Sequence, residues 1–154
     1  MQVRLMRASV EDAQDMWALQ KAGFAELLRK YQDVELNPAC EPLERVQGRL
    51  MRTQGAAYFI TAEGERVGAI FVRWQDDGWK KLGPLWVLPA WQGRGIAQQA
   101  IRLVEEIHGS RCWVLDTILQ EQGNCHLYEK LGYRRTGGTR VVNERMTLVD
   151  YVKD

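Results

Sequence analysis

Cysteine and histidine are scarce in this chain of 154 residues: Cys40, Cys112 and Cys125 are the only cysteines, His108 and His126 the only histidines. The cysteines are odd in number, widely spaced and without a Cys-x-x-Cys pair, which argues against structural zinc and against a disulfide framework, so no metal is expected. Long apolar runs are missing as well. No stretch reaches the roughly 18 residues a membrane helix needs, and Met1-Gln2-Val3-Arg4-Leu5 has no long apolar core of the signal-peptide kind. A membrane partner is therefore not expected, and the cytoplasm is the expected location. Nor is there an excess of either charge: 21 Lys and Arg face 20 Asp and Glu, for a net charge of +1. A nucleic-acid partner, which a basic surplus would signal, is not expected either.

With 45% hydrophobic residues, the length suits one globular domain with a real core, and residues 1–154 read as a single unit. Val3 to Arg7 reads as a strand. Ser9-Val10-Glu11-Asp12 then resembles a capping box opening a long helix, whose apolar side carries Ala13, Met16, Trp17, Phe24, Leu27, Leu28 and Tyr31, with Gly23 as a candidate bend. After an irregular stretch from Asp33 to Glu41, Pro42 stands where a first helical residue would, before Leu43, Val46 and Leu50. Apolar runs separated by Glu63-Gly64 and Asp77-Gly78 give a three-strand antiparallel meander. Its last strand, Trp79 to Leu88, is interrupted by Gly83-Pro84; proline donates nothing to a sheet ladder, so pairing should break or bulge there. Gly95 to His108 is an amphipathic helix with Ile96, Ala100, Leu103, Val104 and Ile107 inward. A strand from Cys112 to Ile118, a helix from Asn124 to Leu131 closed by Gly132, and two strands near Tyr133 to Val142 and Arg145 to Val152 complete the order.

Between the meander and the amphipathic helix lies Gln92-Gly93-Arg94-Gly95-Ile96-Ala97. A strand entering a glycine-rich turn and then a helix leaves unpaired N–H groups at the positive end of the helix dipole, which suits a phosphate. Gly93 and Gly95 remove side chains that would block a diphosphate, while Gln92 and Arg94 add donors. An ordinary strand-to-helix turn would share this pattern.

Two further segments give the loop a context. Val87-Leu88-Pro89 precedes it, and Leu127-Tyr128-Glu129-Lys130-Leu131-Gly132-Tyr133 lies downstream. Together with Gln92, Gly95 and Ala97 they resemble the two cofactor-binding segments of the GNAT superfamily of acyl-CoA-dependent N-acetyltransferases. The order of elements agrees over nearly the whole chain, and the strand-helix rhythm of a dinucleotide-binding fold is absent. The resemblance implies an α/β fold with a seven-stranded, mostly antiparallel twisted sheet flanked by about four helices. It implies that the strands ending at Val87 and near Ile118 splay apart, leaving backbone groups of Leu85 and Val87 for the pantetheine of acetyl-CoA. The diphosphate would then sit on the N–H groups of Gly93, Arg94, Gly95, Ile96, Ala97 and Gln98.

The resemblance also assigns roles in the chemistry. Tyr128 matches the family's general acid. The glutamate that some relatives carry on the fourth strand has no counterpart, since Trp79 to Ala90 holds no acid and shows Lys80 and Lys81 instead. Asp116, twelve positions before the tyrosine, matches an alternative acidic position and is the first candidate for the base, with Glu121 the second. Glu121 also stands where many relatives have an asparagine that contacts pantetheine; Asn124, one turn before Tyr128, would take over that contact or serve as a helix cap.

The implied reaction is acetylation of a primary amine, on a small molecule in preference to a protein. A non-catalytic acyl-CoA-binding regulatory domain and an acetyltransferase acting on protein N-termini or lysines are the alternatives, and a homodimer is compatible with either. Asp33, Glu35 and Glu41 would favour a cationic amine if they face the cleft; otherwise they are solvated. Trp86 would wall such a pocket if it faces inward, and belongs to the core if it does not.

Overall fold

The structure, a computed structural model, describes all residues from Met1 to Asp154. Strand β1 (Val3–Arg7) leads through a 3-10 turn at Val10–Asp12 into helix α1 (Ala13–Tyr31). The Ser9 N–H donates to the Asp12 carboxylate at 2.9 Å, which is the returning arm of a capping box. Gly23 does not bend α1, which stays helical throughout. Its role is steric, because a Cβ at this position would fall onto the Trp86 indole. Helix α2 spans Leu43–Leu50, and Pro42 is its N-cap rather than its first residue. The shift follows from the extended backbone at Pro42, with ψ at 160°.

The meander forms as expected: β2 (Gly55–Ala62), β3 (Glu65–Trp74) and β4 (Lys80–Val87) pair antiparallel. Then come α3 (Ile96–His108), β5 (Trp113–Ile118), α4 (Gln122–Lys130), β6 (Arg134–Val141) and β7 (Thr147–Lys153). The seven strands make one sheet in the order β1-β2-β3-β4-β5-β7-β6, and only the β4–β5 pair is parallel.

The central strands are apolar on both faces because both faces are covered. Along β3, Ile70 and Val72 join the larger core with α3 and α4, while Ala69 and Phe71 turn to the smaller one with Met16 of α1 and Val46 of α2. On α3 the buried residues are Ile96, Ala100, Ile101 and Val104, and Ile107 is exposed. The buried stripe is thus rotated toward Ile101, and its last place goes to His108, whose Nε2 lies 2.7 Å from the Tyr58 hydroxyl.

Two features of this sheet position the site. The Gly83–Pro84 peptide is cis, and the β3–β4 register shifts between Ile70 and Val72 beside it, so the expected irregularity is present. Pairing of β4 with β5 is limited to Lys80 with Trp113 and Lys81 with Val114. Beyond those two rungs the strands part, as the resemblance implies.

Candidate active site

The parting strands expose one edge of β4. The Leu88 N–H donates to the Val67 carbonyl at 2.8 Å, and Val87 stands opposite Gly68. Val87 is therefore a rung whose own N–H and C=O point away from β3, and the two-residue alternation sends those of Leu85 the same way. The gap toward β5 is lined by these groups. One of them is already engaged: the Val87 carbonyl accepts the Gln92 side-chain amide at 2.9 Å. Leu85 and the Val87 N–H remain for a ligand, which narrows the expectation for Val87.

At the mouth of the gap the chain makes a 3-10 turn at Pro89–Trp91 and enters α3 through Gly93 and Gly95, both at φ 77°. Gly95 is the N-cap, and the first helical bond is that from the Gln99 N–H to the Gly95 carbonyl at 3.1 Å. The N–H groups of Ile96, Ala97 and Gln98 precede it and have no helical acceptor. Arg94 departs from expectation. Its guanidinium lies 4.9 Å from the Trp91 ring centroid and reaches the Ala90 carbonyl at 3.4 Å.

Two cavities flank the gap. The first, of about 480 Å³, is walled by Leu85, Val87, Gln92, Gly93, Gly95, Ile96, Ala97 and Gln98 together with Glu121, Asn124 and Tyr128; Arg94 is outside this wall. The second, of about 390 Å³, lies between α1, the Asp33–Glu41 segment, the end of α2, β4 and β5, and includes Asp116. Phe24, Leu27, Leu85, Asn124 and Tyr128 belong to both, so the cavities meet at these residues.

Tyr128 is buried at this junction. Burial raises its pKa well above the ordinary tyrosine value, with the Asp116 carboxylate and then Cys125 adding to the effect. The phenol is thus held protonated at physiological pH. Asp116 stands on β5 in the second cavity, with Lys81 Nζ at 3.7 Å and an Arg140 Nη at 3.8 Å from its carboxylate. Asn124 lies in the first turn of α4 but is not its cap, since Glu121 occupies that position.

Glu121 is separated from Asp116: it borders the first cavity and not the second. Its carboxylate accepts the Tyr31 hydroxyl at 2.5 Å and Lys30 at 2.6 Å. Partial burial works to raise its pKa, but these two bonds outweigh it and leave the group below the usual glutamate range. The contact joins the end of α1 to the start of α4. On the other side of Tyr31, its carbonyl accepts the Asn143 amide at 2.9 Å. The end of α1 is therefore tied to two elements that come much later in the chain.

The second cavity differs from what the acidic residues of its loop suggest. Glu35 is not on its wall, and Glu41 is held by Arg49 through bonds of 3.1 and 2.8 Å while also accepting Gln20 at 2.6 Å. Asp33 is on the wall but accepts the Asn37 amide at 3.1 Å. Arg49, Arg52, Arg73 and Lys81 line the same space. Of this set, the sequence reading singled out only Lys81, as the residue standing where an acid was sought. The missing signal was register: the Asp77-Gly78 hairpin sets Arg73 directly opposite Lys81. Trp86 does not wall the second cavity; it packs in the smaller core against Phe24 and Phe71 and borders the first.

The mixed seven-stranded sheet that splits beside a glycine-capped helix recurs in solved structures over the full chain. PaiA N-acetyltransferase from Thermoplasma acidophilum in complex with coenzyme A superposes with a TM-score of 0.77 at 14% identity, covering 100% of both chains. AAC(6')-Ib in complex with ribostamycin and coenzyme A gives 0.74 at 16% identity over 99% of this chain and 94% of that one. A spermidine N-acetyltransferase chimera of SpeG from Vibrio cholerae and hSSAT gives 0.73 at 15% identity over 99% and 96%. No curated protein sequence matches significantly. The sequence profile of the acetyltransferase (GNAT) family matches residues 5–133, and the chain belongs to that family.

Proposed function

We propose that this protein transfers the acetyl group of acetyl-CoA to a primary amine on a small molecule, by direct attack within a ternary complex. The observation that carries the reading is the meeting of the two cavities at the Tyr128 phenol, with the open edge of β4 and the glycine-capped α3 on one side. The residues present fit the donor. The α3 N–H groups and the left-handed glycines offer an anion cradle that side chains would obstruct, and the β4 edge offers amide partners. Acetyl-CoA supplies an acyl group activated as a thioester.

In this scheme Asp116 receives the incoming ammonium and takes its proton through a water, leaving the amine free to attack. The new C–N bond forms as the C–S bond breaks, Tyr128 gives its proton to the departing sulfur, and the proton that the nitrogen sheds in becoming an amide returns to the Tyr128 oxygen. Glu121 is not used as a base, because its carboxylate is committed to Tyr31 and Lys30. The acceptor cavity, about 390 Å³ and bounded by α1, the Asp33–Glu41 segment and β4, is of small-molecule size.

Mixing the protein with acetyl-CoA and a panel of primary amines, while following free thiol, tests the reading. Thiol release that depends on an amine supports it. Tight coenzyme A binding without amine-dependent thiol release would point instead to a non-catalytic acyl-CoA sensor.

A further inference from the structure

The second cavity has two ends of opposite character. One is the junction with the donor cavity at Tyr128 and Asn124. At the other, Arg49, Arg52, Arg73 and Gly83 are shared with a small recess of about 20 Å³, to which Arg7 also contributes and no Asp or Glu does. Arg49 is neutralised by Glu41, and Arg7 donates to the Gly55 carbonyl at 3.5 Å. Arg52 and Arg73 enter none of the protein's ion pairs.

The backbone adds a second, independent observation. Arg73 and Lys81 are cross-strand partners on β3 and β4, so two like charges share one face of the sheet. Such a pair is unfavourable unless an anion stands near it. Lys81 has Asp116; Arg73, which is exposed, has no carboxylate partner. Arg52 is exposed but partly desolvated, and this, then Arg73, then Arg49 lower the pKa of its guanidinium from its ordinary value.

Building on the acetyltransferase reading, we infer that the amine acceptor also carries an anionic group, a carboxylate or a phosphate, which binds Arg52 and Arg73 while its amine lies at Asp116 and Tyr128. The substrate class is thus the zwitterionic amine and not the polycation. Arginine suits the task because its fork of donors matches either oxyanion.

The test compares acceptors on one protein. An amino carboxylate series from glycine to aminohexanoate and phosphoethanolamine are set against butylamine and spermidine in the thiol-release assay. The acidic amines should show the higher kcat/KM, and which series leads distinguishes carboxylate from phosphate. Arg52→Ala and Arg73→Ala should each raise KM for the best acidic amine about tenfold, with little effect on butylamine or on acetyl-CoA affinity. Arg73→Glu should shift preference toward spermidine. A parallel titration calorimetry experiment, in which the same amines bind the CoA-saturated protein, needs no turnover. Binding of an acidic amine that is lost in the Arg52→Ala, Arg73→Ala double variant supports the inference. Equal use of neutral or cationic amines, no binding of any acidic amine, or binding that survives the double variant overturns it. Turnover of butylamine and spermidine alone would leave the acetyltransferase reading intact while removing the anion. Absence of turnover with every amine would remove the acetyltransferase reading itself.

Discussion

The two halves of the cleft are built from different materials. The donor half is mostly backbone: the α3 N–H groups, two glycines at φ 77° and the unpaired edge of β4. The acceptor half is mostly side chains, brought together from α1, the loop after it, the end of α2, β3, β4 and β5. A backbone site depends on one local conformation and is easily broken by one side chain. A side-chain site is distributed, so single changes there retune it instead of abolishing it.

The largest effect is therefore expected at Gly95. Gly95→Leu places a branched side chain at a left-handed N-cap; coenzyme A affinity should fall by on the order of a hundredfold or more by calorimetry, as blocked access and strain add. An unchanged Kd would mean that the cradle lies elsewhere. Next is Tyr128→Phe, which removes only the phenol. Turnover should drop by roughly a hundredfold to ten-thousandfold, with coenzyme A affinity within about twofold, since a backbone-built site does not use that hydroxyl. Equal losses in binding and turnover would erase the distinction between the halves.

A smaller effect is expected where the halves are linked. Glu121→Gln weakens the contacts to Tyr31 and Lys30, and the partial exposure of the pair limits the cost, so Tm should fall by about 2–4 °C. Because Phe24 and Leu27 of α1 line both cavities and Glu121 lines the first, the amine KM and the coenzyme A Kd should both rise modestly. The smallest effect concerns His108, away from both cavities. Its pKa is lowered from 6.5 by burial, with Arg7 and Lys80 adding. The native state thus binds a proton less readily than the unfolded chain, so stability is greatest above pH 6.5 and declines as pH falls through that value toward the depressed native pKa. His108→Gln should flatten Tm against pH in that window without altering acetyl transfer.

The same division explains how much could be read from the sequence. Glycines, a Val-x-Pro strand end and an amphipathic helix are local, and local patterns survive in one dimension. The order of all seven strands and four helices was accordingly legible; the splay was implied only by the family resemblance, and its start beyond Lys81 and Val114 is seen in the structure. Arg94 shows the limit of such reading: it sits in the motif, yet its side chain folds back on Trp91. The acceptor side depended on which faces meet. Glu41 reads as an available carboxylate until its bonds to Arg49 and Gln20 are seen. Ile107, expected inward, is exposed because a small rotation of the α3 stripe is not encoded by hydrophobicity alone.

Two rungs are all the ladder pairing between β4 and β5, where a four-strand half-sheet meets a three-strand one. On the proposed reading a bound donor supplies the missing rungs along Leu85 and Val87, acting as part of the fold as well as a reagent. Folding and loading then become linked equilibria: saturation at a hundred times Kd adds about 2.7 kcal/mol to the stability of the chain. The survival of this protein against unfolding would follow the acyl-donor supply of its surroundings, and the molecule would register that supply through its own lifetime.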